Sequence, residues 1–225
     1  APKGILPDHA DQARLCGSPF LDADRAFLLP LGVDLRLYHH AGKPFALPEA
    51  DCTFLFVGGT IPRKGIDVLL LGYVEAFENR DDVLLVVKGF GSGSFYRGTG
   101  ITDLVDAIQR ARPVAPRVLY IDNDLNDAEI AALYRAADVL VHPYRGEGYG
   151  LPVAEALACG TPVVVTAGGA TEDFVPDAAS WKVKSERTIL RPEVLGLPQP
   201  AGQAHWLEPD HDTLVAALRD AAANT

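Results

Sequence analysis

A Rossmann-like, doubly wound α/β fold built on a parallel sheet is what this chain predicts, and three observations predict it. From residue 51 onward, short apolar runs alternate with longer stretches of helical periodicity. The runs at 53–57, 83–87 and 163–165 are apolar apart from Thr53, as in strands covered on both faces. Glycine-rich or polar loops follow the runs, at the strand ends where such sheets carry their ligands.

The elements follow in order. Gly4, Pro7, Gly17 and Pro19 punctuate residues 1–25, which predict a loop lead-in. Residues 26–29 predict a short strand, and Pro30-Leu-Gly-Val-Asp34 turns the chain. His39, His40, Pro44 and Pro48 mark 35–50 as an extended linker. A strand at 53–57 and a turn at Gly58-Gly59 lead into a helix from 65 to 77, with Val68, Leu69, Leu71, Val74 and Phe77 near helical spacing. A strand at 83–87 precedes a glycine-rich loop at 89–100 and a helix at 102–110, with Pro113 beyond its end. Next come a strand at 118–121 and a helix at 126–137, where Asn126 and Glu129 have capping-box spacing. Residues 137–142 predict a strand whose start Asp138 fixes. Trp181-Lys-Val183 predicts a short last strand. Pro192, Gly196, Pro198, Pro200 and Gly202 make 185–209 irregular, and a helix at 211–222 follows.

Composition narrows the function. The chain has 225 residues, 48% hydrophobic and 22% charged, enough for one large core in one or two domains. A net charge of −10 argues against nucleic acid as a partner, although a local basic cleft is compatible with it. No apolar run reaches the ~18 residues of a transmembrane span. Cys16, Cys52 and Cys159 show neither zinc spacing nor a disulfide framework, so a reducing, cytoplasmic setting is expected. There is no secretory leader pattern. The chain has no Met, so Ala1 is not expected to be a translation start, and a processed or excised piece is expected.

The most informative run is Glu147-Gly-Tyr-Gly-Leu-Pro-Val-Ala-Glu155-Ala-Leu-Ala-Cys-Gly-Thr-Pro-Val-Val-Val165. It reads as a turn, a short helix and a buried strand. Gly148 and Gly150, flanking Tyr149, carry no Cβ, and Pro152 suits a first helical turn. The N–H groups and dipole at that helix start, near Gly150 and Leu151, favour a phosphate. Glu147 and Glu155 add two carboxylates that accept hydrogen bonds from hydroxyls. Phosphate between two hydroxyl-binding carboxylates suggests a sugar nucleotide; the plainer reading is a structural turn with solvated carboxylates.

The second run, Val57-Gly-Gly-Thr-Ile-Pro-Arg-Lys-Gly65, is a glycine turn carrying Gly58, Gly59, Thr60, Arg63 and Lys64. Lys64 can bind phosphate as a point charge and Arg63 as a fork, unless this is only a solvated basic loop. Lys88-Gly-Phe-Gly-Ser-Gly93 lacks the spacing of a dinucleotide fingerprint and reads as a loop lining the cleft. His142, alone at a strand end, reads as structural rather than catalytic.

The first run resembles the donor-binding motif of retaining glycosyltransferases of family 4, which have the GT-B fold. Lys64-Gly65 and Lys88-Gly89 match that family in part, and Pro30-Leu-Gly-Val-Asp34 resembles its inter-domain crossover. One departure is that the family's diphosphate-binding Arg falls on Gly59. The resemblance implies the carboxyl-terminal, donor-binding half of a transferase, with 1–34 as lead-in and crossover and 35–225 as the donor-binding domain. It implies a nucleoside diphosphate sugar as donor, no cofactor and no metal. Glu147 and Lys64 are then the catalytic pair, Glu147 on sugar hydroxyls and Glu155 on the ribose, with Asn123 near the base. The acceptor-binding amino-terminal half would be a missing partner, so this piece is expected to be inactive alone. Peripheral membrane contact of a full-length protein stays open. The alternatives are a non-catalytic nucleotide-sugar-binding module and another GT-B enzyme such as a sugar-nucleotide epimerase. A phosphorylase would need a Schiff-base Lys, for which neither Lys64 nor Lys88 has the setting.

Overall fold

The computed structural model describes residues 31–89, 116–190 and 203–225. The strand expected at 26–29, the loop beyond Gly89 and the helix expected at 102–110 lie outside them. One compact unit spans Val33–Thr225.

Among the described residues, six strands form the central sheet: β1 (Cys52–Val57), β2 (Val83–Lys88), β3 (Arg117–Ile121), β4 (Val139–His142), β5 (Val163–Thr166) and β6 (Ser180–Val183). Their order is β3-β2-β1-β4-β5-β6, and all pairs are parallel. Leu55 of β1 pairs with Val86 on one side and Leu140 on the other. The strands are apolar on both faces because helices cover both. Phe54, Phe56, Leu85, Val87 and Val141 point to one face, packed by α1 (Ile66–Ala76) and α4 (His211–Ala223). Leu55, Val57, Val86, Leu140 and Val163 point to the other, packed by α2 (Asp127–Ala136) and α3 (Leu151–Ala158). The alternation follows the two-residue period of a strand.

Local signals work as the sequence predicts. The Asn126 side chain accepts from the Glu129 N–H at 3.0 Å, and Glu129 accepts from the Asn126 N–H at 2.8 Å, closing the capping box of α2. Asp138 takes the Thr53 N–H at 2.7 Å and so pins β4 to β1. Residues 35–50 contain no helix or strand, yet they are more than a linker. Leu37, Tyr38, Phe45 and Leu47 pack on the α2–α3 face, and the Phe45 N–H donates to Ala132 O at 2.9 Å.

One expectation is corrected. The stretch 185–209 is not irregular throughout: β7 (Ser185–Ile189) and β8 (His205–Pro209) form an antiparallel ribbon. Proline and glycine are confined to the connection, residues 191–202 lying outside those described, and to Pro209 at the end of β8.

Candidate functional site

The strand order reverses direction between β1 and β4, so the loops leaving their carboxyl ends diverge around a crevice, the usual ligand position in such sheets. Those loops are 58–65 and 143–150, the two runs the sequence singles out. They are laced together. The Arg145 and Gly146 N–H groups donate to Arg63 O at 2.8 and 3.3 Å. Arg63 Nη1 returns a bond to Gly146 O at 2.6 Å. Gly65 makes the approach feasible: it has φ +73°, and a Cβ there would stand 1.9 Å from Pro143 O.

Three predicted or noted side chains converge on the carboxylate of Glu147. Glu147 Oε1 accepts from the Lys64 ammonium and from His142 Nε2 at 2.9 Å. Arg63 Nη1 lies 3.7 Å from the other oxygen, Oε2. Burial pushes the Glu147 carboxyl up, but the His142 and Lys64 donors outweigh it and hold its pKa down at about 2. His142 is fully buried, and burial pushes its pKa down; Glu147 opposes that shift, while Lys64 and Arg63 reinforce it. The site is therefore an ionised, nearly buried carboxylate beside a neutral imidazole, with two cations at its mouth. Its cations can move to an anion, and its carboxylate can then accept from hydroxyls.

Glu155 stands apart from that cluster. Its Oε2 accepts from Tyr134 OH at 2.8 Å, with Tyr38 on the same carboxylate. Burial raises its pKa, against those tyrosine hydroxyls. Lys88 is buried at the end of β2 with its ammonium on Gly89 O, and burial lowers its pKa. Gly58 N–H bonds to Lys88 O at 3.1 Å, and Ile61 N–H to Gly59 O at 2.9 Å, which shapes the turn that carries Thr60. Asn123 lies exposed in the loop after β3. Tyr149 stacks on Phe174, centroids 4.9 Å apart. Gly150, at φ +92°, caps α3, and a Cβ there would meet Thr171 at 2.8 Å. Leu151 begins the helix, partly exposed, while Gly148 has open space around it. Among the described residues, no group of three or more His, Cys, Asp or Glu side chains is placed to hold a metal ion, and no helix is long and apolar enough to cross a membrane.

Sequence reasoning missed Arg145. Its buried guanidinium bonds to the Asp67 carboxylate at 2.8 and 2.9 Å, to Glu208 at 2.8 and 2.9 Å, and to Pro62 O at 2.8 Å, and it lies over Trp206. It ties the crevice loop to α1 and to the β7–β8 ribbon. No local signal marks an Arg in a loop as buried. Tyr134 had a weak one: a tyrosine on the core face of a helix needs a partner for its hydroxyl.

Fold and crevice together define a Rossmann-like α/β domain of the GT-B glycosyltransferase type. A sucrose-phosphate synthase from Thermosynechococcus elongatus superposes with TM-score 0.65 at 24% identity, over 97% of this chain and 48% of that one. The carboxyl-terminal domain of a group 1 glycosyl transferase from Francisella tularensis gives TM-score 0.55 at 22% identity, over 68% of this chain and 80% of that one. The chain belongs to the family described as glycosyl transferases group 1, whose sequence model matches residues 42–186. It is similar to proteins named D-inositol 3-phosphate glycosyltransferase. The one from Segniliparus rotundus is 31% identical over 89% of this chain and 48% of its own length. The one from Salinispora tropica is 38% identical over 78% of this chain and 34% of its own length. The chain thus spans about half the length, or less, of the curated relatives it matches.

Proposed function

We propose that this chain is the donor-binding domain of a retaining glycosyltransferase and takes a nucleoside diphosphate sugar in the crevice between the β1 and β4 loops. The observation that carries the reading is the Lys64–Glu147 pair at the switch point, with Arg63 beside it and the α3 start next to it. An incoming diphosphate competes with Glu147 for the Lys64 ammonium and for Arg63. Once those cations sit on the phosphates, they oppose the charge that builds on the leaving diphosphate, together with the N–H groups near Gly150 and Leu151. Glu147, freed of Lys64, accepts hydrogen bonds from the sugar hydroxyls. Glu155 is the ribose partner, its carboxylate preorganised by Tyr134 and Tyr38. Binding needs no metal, because cations and a helix start do that work. Transfer itself needs an acceptor-binding half, since proximity and orientation supply up to ~7–11 kcal/mol only when both substrates are held. The names of the curated relatives make D-inositol 3-phosphate the first acceptor to try with a full-length protein.

The test is calorimetric titration with uridine, guanosine and adenosine diphosphates, with and without chelator. Saturable binding of one of them, unchanged by chelator, is expected. Failure of all three to bind overturns the donor-site reading, and an absolute need for a divalent metal overturns the cation-only account.

A further inference from the structure

His142 was read from the sequence as a structural residue at a strand end, but its surroundings give it a more specific task. The residue ends β4 and is fully buried. Phe56 stacks on its ring, centroids 6.0 Å apart, and Tyr144 lies 5.8 Å away on a tilted plane. Nε2 is 2.9 Å from Glu147 Oε1, while Nδ1 is buried with no hydrogen-bond partner among the described residues. An ionised carboxylate only accepts, so the proton between the two residues belongs to Nε2. Nδ1 then carries a lone pair into apolar surroundings, which is less costly than burying an unpaired N–H there as part of a charged ring. The groups that bear on this ring are Glu147, Lys64 and Arg63, with the Tyr144 ring beside it.

Oε1 of Glu147 therefore has two donors of unequal permanence. Lys64 sits on a flexible stem at the mouth of the crevice, its side chain 13% exposed. His142 has the rings of Phe56 and Tyr144 beside it and is fully enclosed. A ligand anion can draw Lys64 away, but it cannot move His142. Without the imidazole, withdrawing Lys64 would leave a nearly buried carboxylate with, among the described residues, only Arg63, 3.7 Å from the other oxygen. A buried charge without close partners is strongly disfavoured.

We propose that His142 is a positioning residue whose Nε2–H keeps the Glu147 carboxylate in place while an incoming diphosphate takes Lys64. The proposal rests on the donor-site reading above. It makes Lys64 exchangeable between a carboxylate and a phosphate without orphaning Glu147.

The experiment is a double-mutant cycle read as nucleoside diphosphate affinity at pH 7, using the diphosphate that the parent chain binds best. His142→Leu should weaken binding by about tenfold to a hundredfold, the worth of a hydrogen bond to a charged group. His142→Gln keeps an amide donor at the ε position and should recover most of that loss. In a Glu147→Gln background there is no charge to hold, and His142→Leu should change affinity less than about threefold. A merely structural histidine would cost the same in both backgrounds, and that result overturns the proposal. So does a Gln variant no better than Leu when both are folded. If His142→Leu does not fold, nitrogen NMR of the ¹⁵N-histidine-labelled parent chain decides. The ring should be Nε2-protonated both free and with diphosphate bound, and an Nδ1-protonated ring in either state overturns the proposal. Failure of the parent chain to bind any nucleoside diphosphate would instead remove the donor-site reading on which the proposal stands.

Discussion

Replacing Arg145 with Leu should destabilise the domain by about 3 kcal/mol, and the structure shows where that figure comes from. The guanidinium serves three acceptors, the carboxylates of Asp67 and Glu208 and the carbonyl of Pro62. A hydrogen bond to a charged group contributes ~1.5–3 kcal/mol, and a neutral one ~1. The two carboxylates are 50% and 38% exposed, so they regain water when the Arg is lost, and each counts at the low end of that range. The Pro62 carbonyl loses its Arg145 donor, and the stacking of the cation over Trp206, 5.0 Å from the ring centroid, adds a further ~0.5–1 kcal/mol. Leu keeps most of the apolar stem, which offsets part of the loss and brings the sum to about 3 kcal/mol. Against a total stability of ~5–15 kcal/mol, that is a large fraction. Urea denaturation followed by circular dichroism is the assay, with Arg145→Lys as the control that keeps charge but loses the fork. The Leu variant should also expose the β7–β8 ribbon to hydrogen exchange, because it loses the Arg145–Glu208 pair that holds β8 to the crevice loop. A Leu variant within about 0.5 kcal/mol of the parent would refute the reasoning.

Other expectations concern the site itself. Gly65→Ala combines a left-handed backbone with a Cβ placed 1.9 Å from Pro143 O and should cost more than about 3 kcal/mol by thermal or urea unfolding, whereas Gly148→Ala, in open space, should stay within about 0.5 kcal/mol. Glu147, held at about 2 against an ordinary 4.5, contributes stability that is complete above pH 4.5 and is lost as the pH falls toward 2. Glu147→Gln should therefore flatten the acid limb of the stability curve in that window, while the exposed Asp34, also held at about 2, still titrates there in both proteins. Lys64→Ala should reduce nucleoside diphosphate affinity about tenfold to a hundredfold, and Lys88→Ala less, since the Lys88 ammonium is turned onto Gly89 O. An unchanged affinity in Lys64→Ala would move the phosphates elsewhere.

Among the described residues, the sequence by itself determined the six strands of the parallel sheet, the helices that cover it and the two loops of the crevice. Those features are written in local chemistry: unbroken apolar runs, a capping box at Asn126 and Glu129, Pro152 in a first helical turn, glycine before and after a helix. Such signals act over a few residues, so they can be read in order along the chain. The family was legible for the same reason, because the run from Glu147 to Val165 is contiguous. What only the tertiary structure decided are the pairings between residues distant in sequence. Lys64 meets Glu147 across 83 positions, and Arg145 meets Glu208 across 63. The β7–β8 ribbon is of the same kind. Its proline- and glycine-rich connection hid two short strands whose partners are each other and the Arg145 loop. His142 could be read only as a histidine at a strand end, because the burial that keeps it neutral and the carboxylate that uses its N–H come from the packed sheet and the loop that follows it. Burial and charge pairing are properties of the assembled crevice, so the sequence names the groups and the fold decides which of them share a proton, a cation or a solvent-free wall.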